Sequence, residues 1–164
     1  MENELLTSSV LLRDVVDTDL VIFFAQQQDP TANHMAAFGA RDPNSWETFS
    51  AHWAKNMAEA TNTIKTILFR GAVAGHVVSF IHFDNVEVAY WLGQDYWGQG
   101  IATAALKLLL GQITLRPLYA CAVKDNRASL RVLEKCGFVI AGEDTGFSHA
   151  RDQEVEEFIL ILAA

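Results

Sequence analysis

The sequence predicts an α/β (α+β) fold, a mixed and mostly antiparallel central sheet flanked by helices. The first observation behind this is a chain of 164 residues, 51% hydrophobic, with no internal repeat, low-complexity tract or Pro/Ser-rich linker. One domain spanning residues 1–164 is therefore expected, long enough to bury a real core. The second is a run of strand-like segments between Ile64 and Leu92. The third is a glycine loop, Gly98-Gln99-Gly100, followed by a helical pattern and then by alternating strand and helix signals.

Taken in order, Ser8 to Arg13 reads as a short first strand, and Asp17 as the N-cap of a helix running through Leu20, Phe23 and Phe24 to Gln28. Asp29 to Arg41, with Pro30, Asn33 and Gly39, has broken periodicity. After Pro43 and Asn44, the spacing of Trp46, Phe49, Trp53 and Met57 places them on one face of a second helix. Ile64 to Phe69, a turn region from Gly71 to Gly75, His76 to Phe83 and Val86 to Leu92 make an antiparallel meander. Beyond the glycine loop, Ala102, Ala105, Leu106, Leu109, Leu110 and Ile113 hold helical spacing, and Pro117 marks the end of that segment. Leu118 to Val123 reads as a buried strand and Asn126 to Lys135 as a short helix stopped by Gly137; Phe138 to Ala141 and Val155 to Leu162 read as closing strands.

Composition removes several function classes. No apolar run approaches the roughly 18 residues that span a bilayer, and the N-terminus lacks a basic region followed by an apolar one, so a cytoplasmic protein with no membrane partner is expected. Twelve basic against 20 acidic residues give a formal net charge of -8, which discourages nucleic-acid binding and mildly favours a cationic substrate. Cys121 and Cys136 have no C-x-x-C spacing and read as reduced packing residues. His34, His52, His76, His82 and His149 lack the i, i+4 spacing of a helical ligand pair, so no metal is expected. A homodimer is left open.

The loop Tyr96-Trp97-Gly98-Gln99-Gly100-Ile101-Ala102-Thr103 joins a strand to a helix. Its glycines let successive N–H groups converge with the unpaired N–H groups of the helix start, a cradle for phosphate that needs no Lys or Arg. Two turn glycines at a helix entry would look the same locally. No Gly-Lys-Ser/Thr follows, which excludes a P-loop, and Thr103 stands where a dinucleotide fingerprint has its third glycine.

With Val86-Glu87-Val88-Ala89-Tyr90-Trp91-Leu92 before this loop, and Asn126-Arg127-Ala128-Ser129 leading to Leu133-Glu134-Lys135-Cys136-Gly137-Phe138 after it, the chain resembles the GNAT superfamily of N-acetyltransferases. Within it, the motifs most resemble the branch of ribosomal-protein N-terminal alanine acetyltransferases. The resemblance implies an acetyl-coenzyme A cofactor whose pyrophosphate lies on the backbone of Gly98, Gln99, Gly100, Ile101 and Ala102, with Thr103 nearby. Trp97 stands where many members carry Gln or Arg. It further implies a splayed strand pair that opens a slot for the pantetheine arm, backbone N–H groups near Leu92 and Gly93 polarising the acetyl carbonyl, and Asn126 contacting the pantetheine. Ordinary helix capping accounts for Asn126 equally well.

Acetyl transfer to an amine needs a base, an oxyanion donor and a proton for the leaving thiolate. Glu87 shares a strand face with Ala89 and Trp91 and is the candidate base, acting directly or through water; a solvent-facing Glu is the plain alternative. Many relatives place a Tyr acid seven residues after the motif Asn, where this chain has Leu133, so Ser129 is the first candidate proton donor and Tyr90 the second. Neither cysteine has a sequence-local activating partner, which favours direct transfer in a ternary complex over an acyl-enzyme. Asp29 to Arg41, Trp46, Trp53 and Thr145 to Asp152 are expected to shape the site of a small-molecule or peptide amine acceptor, although core packing also explains both tryptophans. Arg127 and Arg131 are either solvated or within reach of a cofactor phosphate. The runner-up function is a coenzyme A-binding or sensing domain without catalysis, for which Leu133 is the motive.

Overall fold

The computed structural model describes residues 9–164. Its elements in chain order are β1 (Val10–Asp14), α1 (Asp17–Gln27), α2 (Pro30–Ala36), α3 (Trp46–Ala58), β2 (Thr63–Phe69), β3 (Ala72–His82), β4 (Asn85–Leu92), a 3-10 turn (Gln94–Tyr96), α4 (Ile101–Gln112), β5 (Leu118–Val123), α5 (Arg127–Lys135), β6 (Val139–Ser148) and β7 (Gln153–Leu162). The seven strands form one sheet in the order β1-β2-β3-β4-β5-β7-β6. Every neighbouring pair is antiparallel except β4 and β5, which run parallel and meet at a single register pair, Glu87 with Tyr119. The fold class expected from the sequence is the one observed. Among the described residues no helix is long and apolar enough to cross a membrane.

Helix α4 covers one face of the sheet. Its buried Ile101, Ala102, Ala105, Leu106 and Leu109 pack with Val77, Val88, Leu92, Leu118, Ala120 and Leu160. The alanines bring the helix backbone close to the strands, and each fully buried leucine contributes roughly 1.5–3 kcal/mol. A smaller cluster of Phe23, Phe49 and Trp53 seats α1 and α3 on the opposite face. Asp19, 1% exposed, locks that corner. Its carboxylate accepts two bonds from Arg13 (2.6 and 2.9 Å), one from the Val16 N–H (3.0 Å) and one from Thr66 Oγ1 (2.7 Å). The Arg13 bond, more than any other contact, holds the Asp19 carboxyl down to about 2.

Several boundaries differ from the sequence expectation. Ser8, taken as the start of the first strand, lies outside the described residues. Asp17 is the first helical residue of α1 rather than its cap; Val16 stands at the cap, because the Asp19 side chain reaches back to its N–H. The broken stretch Asp29 to Arg41 contains α2, seven residues long, with Asp29 accepting from the Thr31 N–H and Pro30 in the first turn. Trp46 and Met57 are exposed, leaving Phe49 and Trp53 as the buried face of α3. The turn before β3 is only Arg70-Gly71, both at positive φ, and Gly75 lies inside β3, where a Cβ would overlap the carbonyl oxygen of Trp91. Strand β6 runs on to Ser148, so the first half of the expected Thr145 to Asp152 loop is strand.

Candidate active site

The site begins where β4 and β5 part. Because β5 is reached through a helix rather than a hairpin, it enters parallel to β4. Beyond Glu87 and Tyr119 the two strands share no further register pair, and a cavity of about 640 Å³ opens between them. Val88 to Leu92 line one side, Ala120 to Val123 the other, and α4 and α5 close one face. From the opposite face Ala32, Met35 and Ala36 of α2, with Phe38 and Gly39, form a wall.

At one end of this slot lies the glycine loop. Gly98 and Gly100 take left-handed backbones, φ 73° and 79°, which L side chains rarely adopt. Gly100 caps α4 without any side-chain bond, so among the described residues no side chain satisfies the opening N–H groups of that helix. Gly98, Gly100, Ile101, Ala102 and Thr103 line the cavity. Gln99 turns away, donating its side-chain amide to the Asp95 carbonyl at 3.0 Å, so only its backbone is available to the cradle. Arg131 and Lys135 from α5 supply positive charge along the rim, while Arg127 is not among the lining residues.

A profile of the family described as the acetyltransferase (GNAT) domain matches residues 9–139, which include the diverging strands, the glycine loop and helix α5. The chain belongs to the GNAT acetyltransferase family. It is similar to a Bacillus subtilis (strain 168) protein provisionally named ribosomal N-acetyltransferase YdaF, 28% identical over 118 residues that cover 65% of this chain and 64% of that protein. The match thus spans just under two thirds of the relative's length. Among solved structures, Mycobacterium smegmatis RimJ, in complex with CoA-disulfide, superposes with a TM-score of 0.78 at 20% identity, covering 94% of this chain and 82% of that one. The ribosomal-protein-S5-alanine acetyltransferase of Vibrio fischeri gives 0.74 at 17% identity, covering 94% and 93%.

Within this GNAT scaffold the motif residues take distinct places. Gly93 donates its N–H to the Ala74 carbonyl at 2.9 Å, toward β3, so that donor is already used. Amides alternate direction along a strand, so the Leu92 N–H faces the slot instead. The Leu92 carbonyl accepts from the Trp97 indole at 3.0 Å, which fixes the end of β4. Trp97 therefore braces the strand from the position where many members carry Gln or Arg, and it also lines the cavity. Of the two oxyanion donors expected at this turn, Leu92 remains and Gly93 is removed by its own hydrogen bond.

Tyr90 and Ser129 meet on the face covered by α4 and α5, with the Tyr90 hydroxyl donating to Ser129 Oγ at 3.4 Å. Burial, the largest influence, pushes the Tyr90 phenol above its ordinary value, so it stays protonated. Leu133, 3% exposed, lies among the same cavity-lining residues without a hydroxyl to offer. Asn126 caps α5 through the Ser129 N–H (3.2 Å) and donates to the Met35 carbonyl (3.3 Å), so its side chain ties α5 to α2 as well as lining the slot. Burial pushes the Cys121 thiol up to about 12 and also raises that of Cys136, which suits neither as a nucleophile.

On the other face, Glu87 holds an ion-pair distance of 3.3 Å to His82 and is not among the cavity-lining residues. Glu157 of β7 is, although it belongs to none of the sequence motifs. Its signal was present: Glu156 and Glu157 are adjacent in a strand, so they point to opposite faces and only one can face the slot. The α2 wall is held by Arg151, whose side chain is 6% exposed. It donates to the His34 carbonyl at 2.8 Å and forks onto the Asp125 carboxylate at 2.6 and 2.9 Å. Ser148, donating to the Ala37 carbonyl at 2.5 Å, fixes the next residues of the same wall. Trp46 and Trp53 do not line the cavity; they pack against Phe24 and Phe49 respectively.

Proposed function

We propose that this protein transfers the acetyl group of acetyl-coenzyme A to a primary amine, on a peptide N-terminus or a small molecule, by direct transfer in one ternary complex. The observation that carries this reading is the slot where β4 and β5 part, lined by both strands, with a side-chain-free N–H cradle at one end. The fit to the cofactor is chemical. The left-handed glycines and the uncapped first turn of α4 suit a pyrophosphate, Arg131 and Lys135 suit further phosphate charge, and the apolar walls suit a pantetheine arm. The bound cofactor supplies the activated acetyl thioester.

The chain's own residues divide the remaining work. The Leu92 N–H stabilises charge developing on the carbonyl oxygen, a contribution of the kind worth about 10²–10³ in rate. The Tyr90–Ser129 pair protonates the leaving sulfur, Ser129 giving its proton and Tyr90 restoring it through their hydrogen bond. A carboxylate on the opposite face receives the amine proton, for which Glu87 and Glu157 are the candidates. The names of YdaF and of the Vibrio fischeri structure favour a protein N-terminus as acceptor, and with it a cytoplasmic setting. The α2 wall would then be its contact surface.

The test is thiol release from acetyl-coenzyme A with short peptides of free N-terminus, polyamines and amino acids as acceptors, with mass spectrometry of the products. Acetylated amine that falls at least tenfold in Ser129→Ala supports the proposal. Coenzyme A binding without acetylation of any amine points instead to a binding domain, the reading that Leu133 favours. No binding of coenzyme A refutes both.

A further inference from the structure

The acid on the thiol side is a half-buried pair, whereas on the acceptor side Glu87, the candidate from the sequence, and Glu157 both offer a carboxylate. Register assigns the faces. Glu87 opposes Tyr119, and alternation along β5 carries that face through Cys121 to Val123, which opposes Glu157. Glu157 therefore stands on the face of Glu87, Ala89 and Trp91, and Tyr90 and Ser129 stand on the other. An amine arriving over the first face and a sulfur leaving toward the second would react across the slot.

We propose that Glu157 is the catalytic base of the transfer, accepting the acceptor's N–H proton directly, while Glu87 acts on it only as a neighbouring charge. This rests on the acetyl-transfer reading above. Three observations single out Glu157. Among the described residues it is the one carboxylate that lines the cavity. Among the described residues its carboxylate accepts no hydrogen bond and makes no ion pair, so its lone pairs are free, whereas Glu87 is engaged by His82. It is half-buried, and burial, ahead of the charges of Asp144 on β6 and Glu87 on β4, raises it above the usual carboxylate range; His82 on β3 acts weakly the other way, and Cys121 on β5 is a neutral thiol beside it. A raised carboxylate is a stronger base, closer to what proton transfer near neutral pH requires.

The step balances without an added reagent. The amine nitrogen forms a bond to the acetyl carbon as the carbon–sulfur bond breaks, one N–H proton passes to the Glu157 carboxylate, and the departing thiolate takes a proton from the Ser129 hydroxyl. Solvent then removes the proton from Glu157 and restores the hydroxyl pair.

Glu157→Gln and Glu87→Gln, each in the full chain, decide the matter. Coenzyme A affinity by calorimetry should stay within twofold of the parent in both variants, which also verifies their folding. Glu157→Gln should lower kcat/KM for the amine by 10²–10⁴-fold at neutral pH and abolish the acid limb of the parent's pH profile, while Glu87→Gln only shifts that limb to lower pH. In carboxyl 13C NMR of the protein without cofactor, Glu157→Gln should delete the signal that titrates above the ordinary range. If Glu157→Gln keeps kcat/KM within threefold, or if the acid limb disappears in Glu87→Gln instead, Glu157 is not the base although acetyl transfer stands. A parent that acetylates no amine refutes the transfer reading and this assignment with it.

Discussion

His76 is the sharpest lever on stability. It sits on β3 with its ring 4.8 Å from those of both Phe23 and Trp53, edge-on to the latter, and among the described residues its buried Nδ1 has no hydrogen-bond partner. The residue as a whole is half-buried, but its Nδ1 is sealed from solvent. Burial lowers its pKa from 6.5 to about 3. The unfolded chain therefore takes up a proton below pH 6.5 that the folded chain refuses until about pH 3, so stability falls as pH falls through that window, by at most about 1.4 kcal/mol per unit. At pH 5 the loss is about 2 kcal/mol, or roughly 4–8 °C in Tm for a domain of this size. Asp19, held at about 2, is lost in a separate window below about pH 4, so the comparison belongs between pH 7 and 4.5. Replacing the ring by phenyl keeps the stacking and removes both the titration and the unpartnered nitrogen. His76→Phe should match or exceed the parent at pH 7, and its advantage should grow by about 2 kcal/mol by pH 5, read from urea midpoints at each pH. Parallel pH dependences for the two proteins would refute the assignment of acid sensitivity to His76.

Two further outcomes test the site. Gly100→Val should raise the Kd for coenzyme A at least tenfold, because a β-branched residue is strained at φ 79° and its side chain blocks backbone approach to the phosphates; a Kd equal to the parent's would contradict the cradle. Arg151→Met should raise the KM for the amine severalfold while leaving coenzyme A affinity within twofold, because it frees the α2 wall and not the glycine loop. Arg151→Lys should fail to rescue it, since a lysine cannot fork onto Asp125 and still reach the His34 carbonyl, and equal KM values in all three proteins would show that the wall needs no clamp.

Periodicity made α1, α3, α4, α5 and the strand cores legible, because a 3.6- or 2-residue repeat is written in neighbouring residues. The short α2 escaped it: seven residues give too few turns for a repeat, and its marks were Asp29 as cap and Pro30 just inside the helix. The full length of β6 also escaped, since its outer-edge residues are largely exposed and need no alternation.

By itself the sequence determined the order of elements, the glycine cradle and the family motifs, all of which are local in the chain. Only the tertiary structure decided which groups face the slot. Leu92 rather than Gly93 keeps a free N–H because Ala74, nineteen positions away, takes the other. Tyr90 meets Ser129 because β5 and α5 return beside β4, and Glu157 enters the cavity because β7 pairs with β5 in one register. A shift of one residue would have turned Glu156 inward instead. Such choices depend on contacts between distant segments, and no local repeat records them.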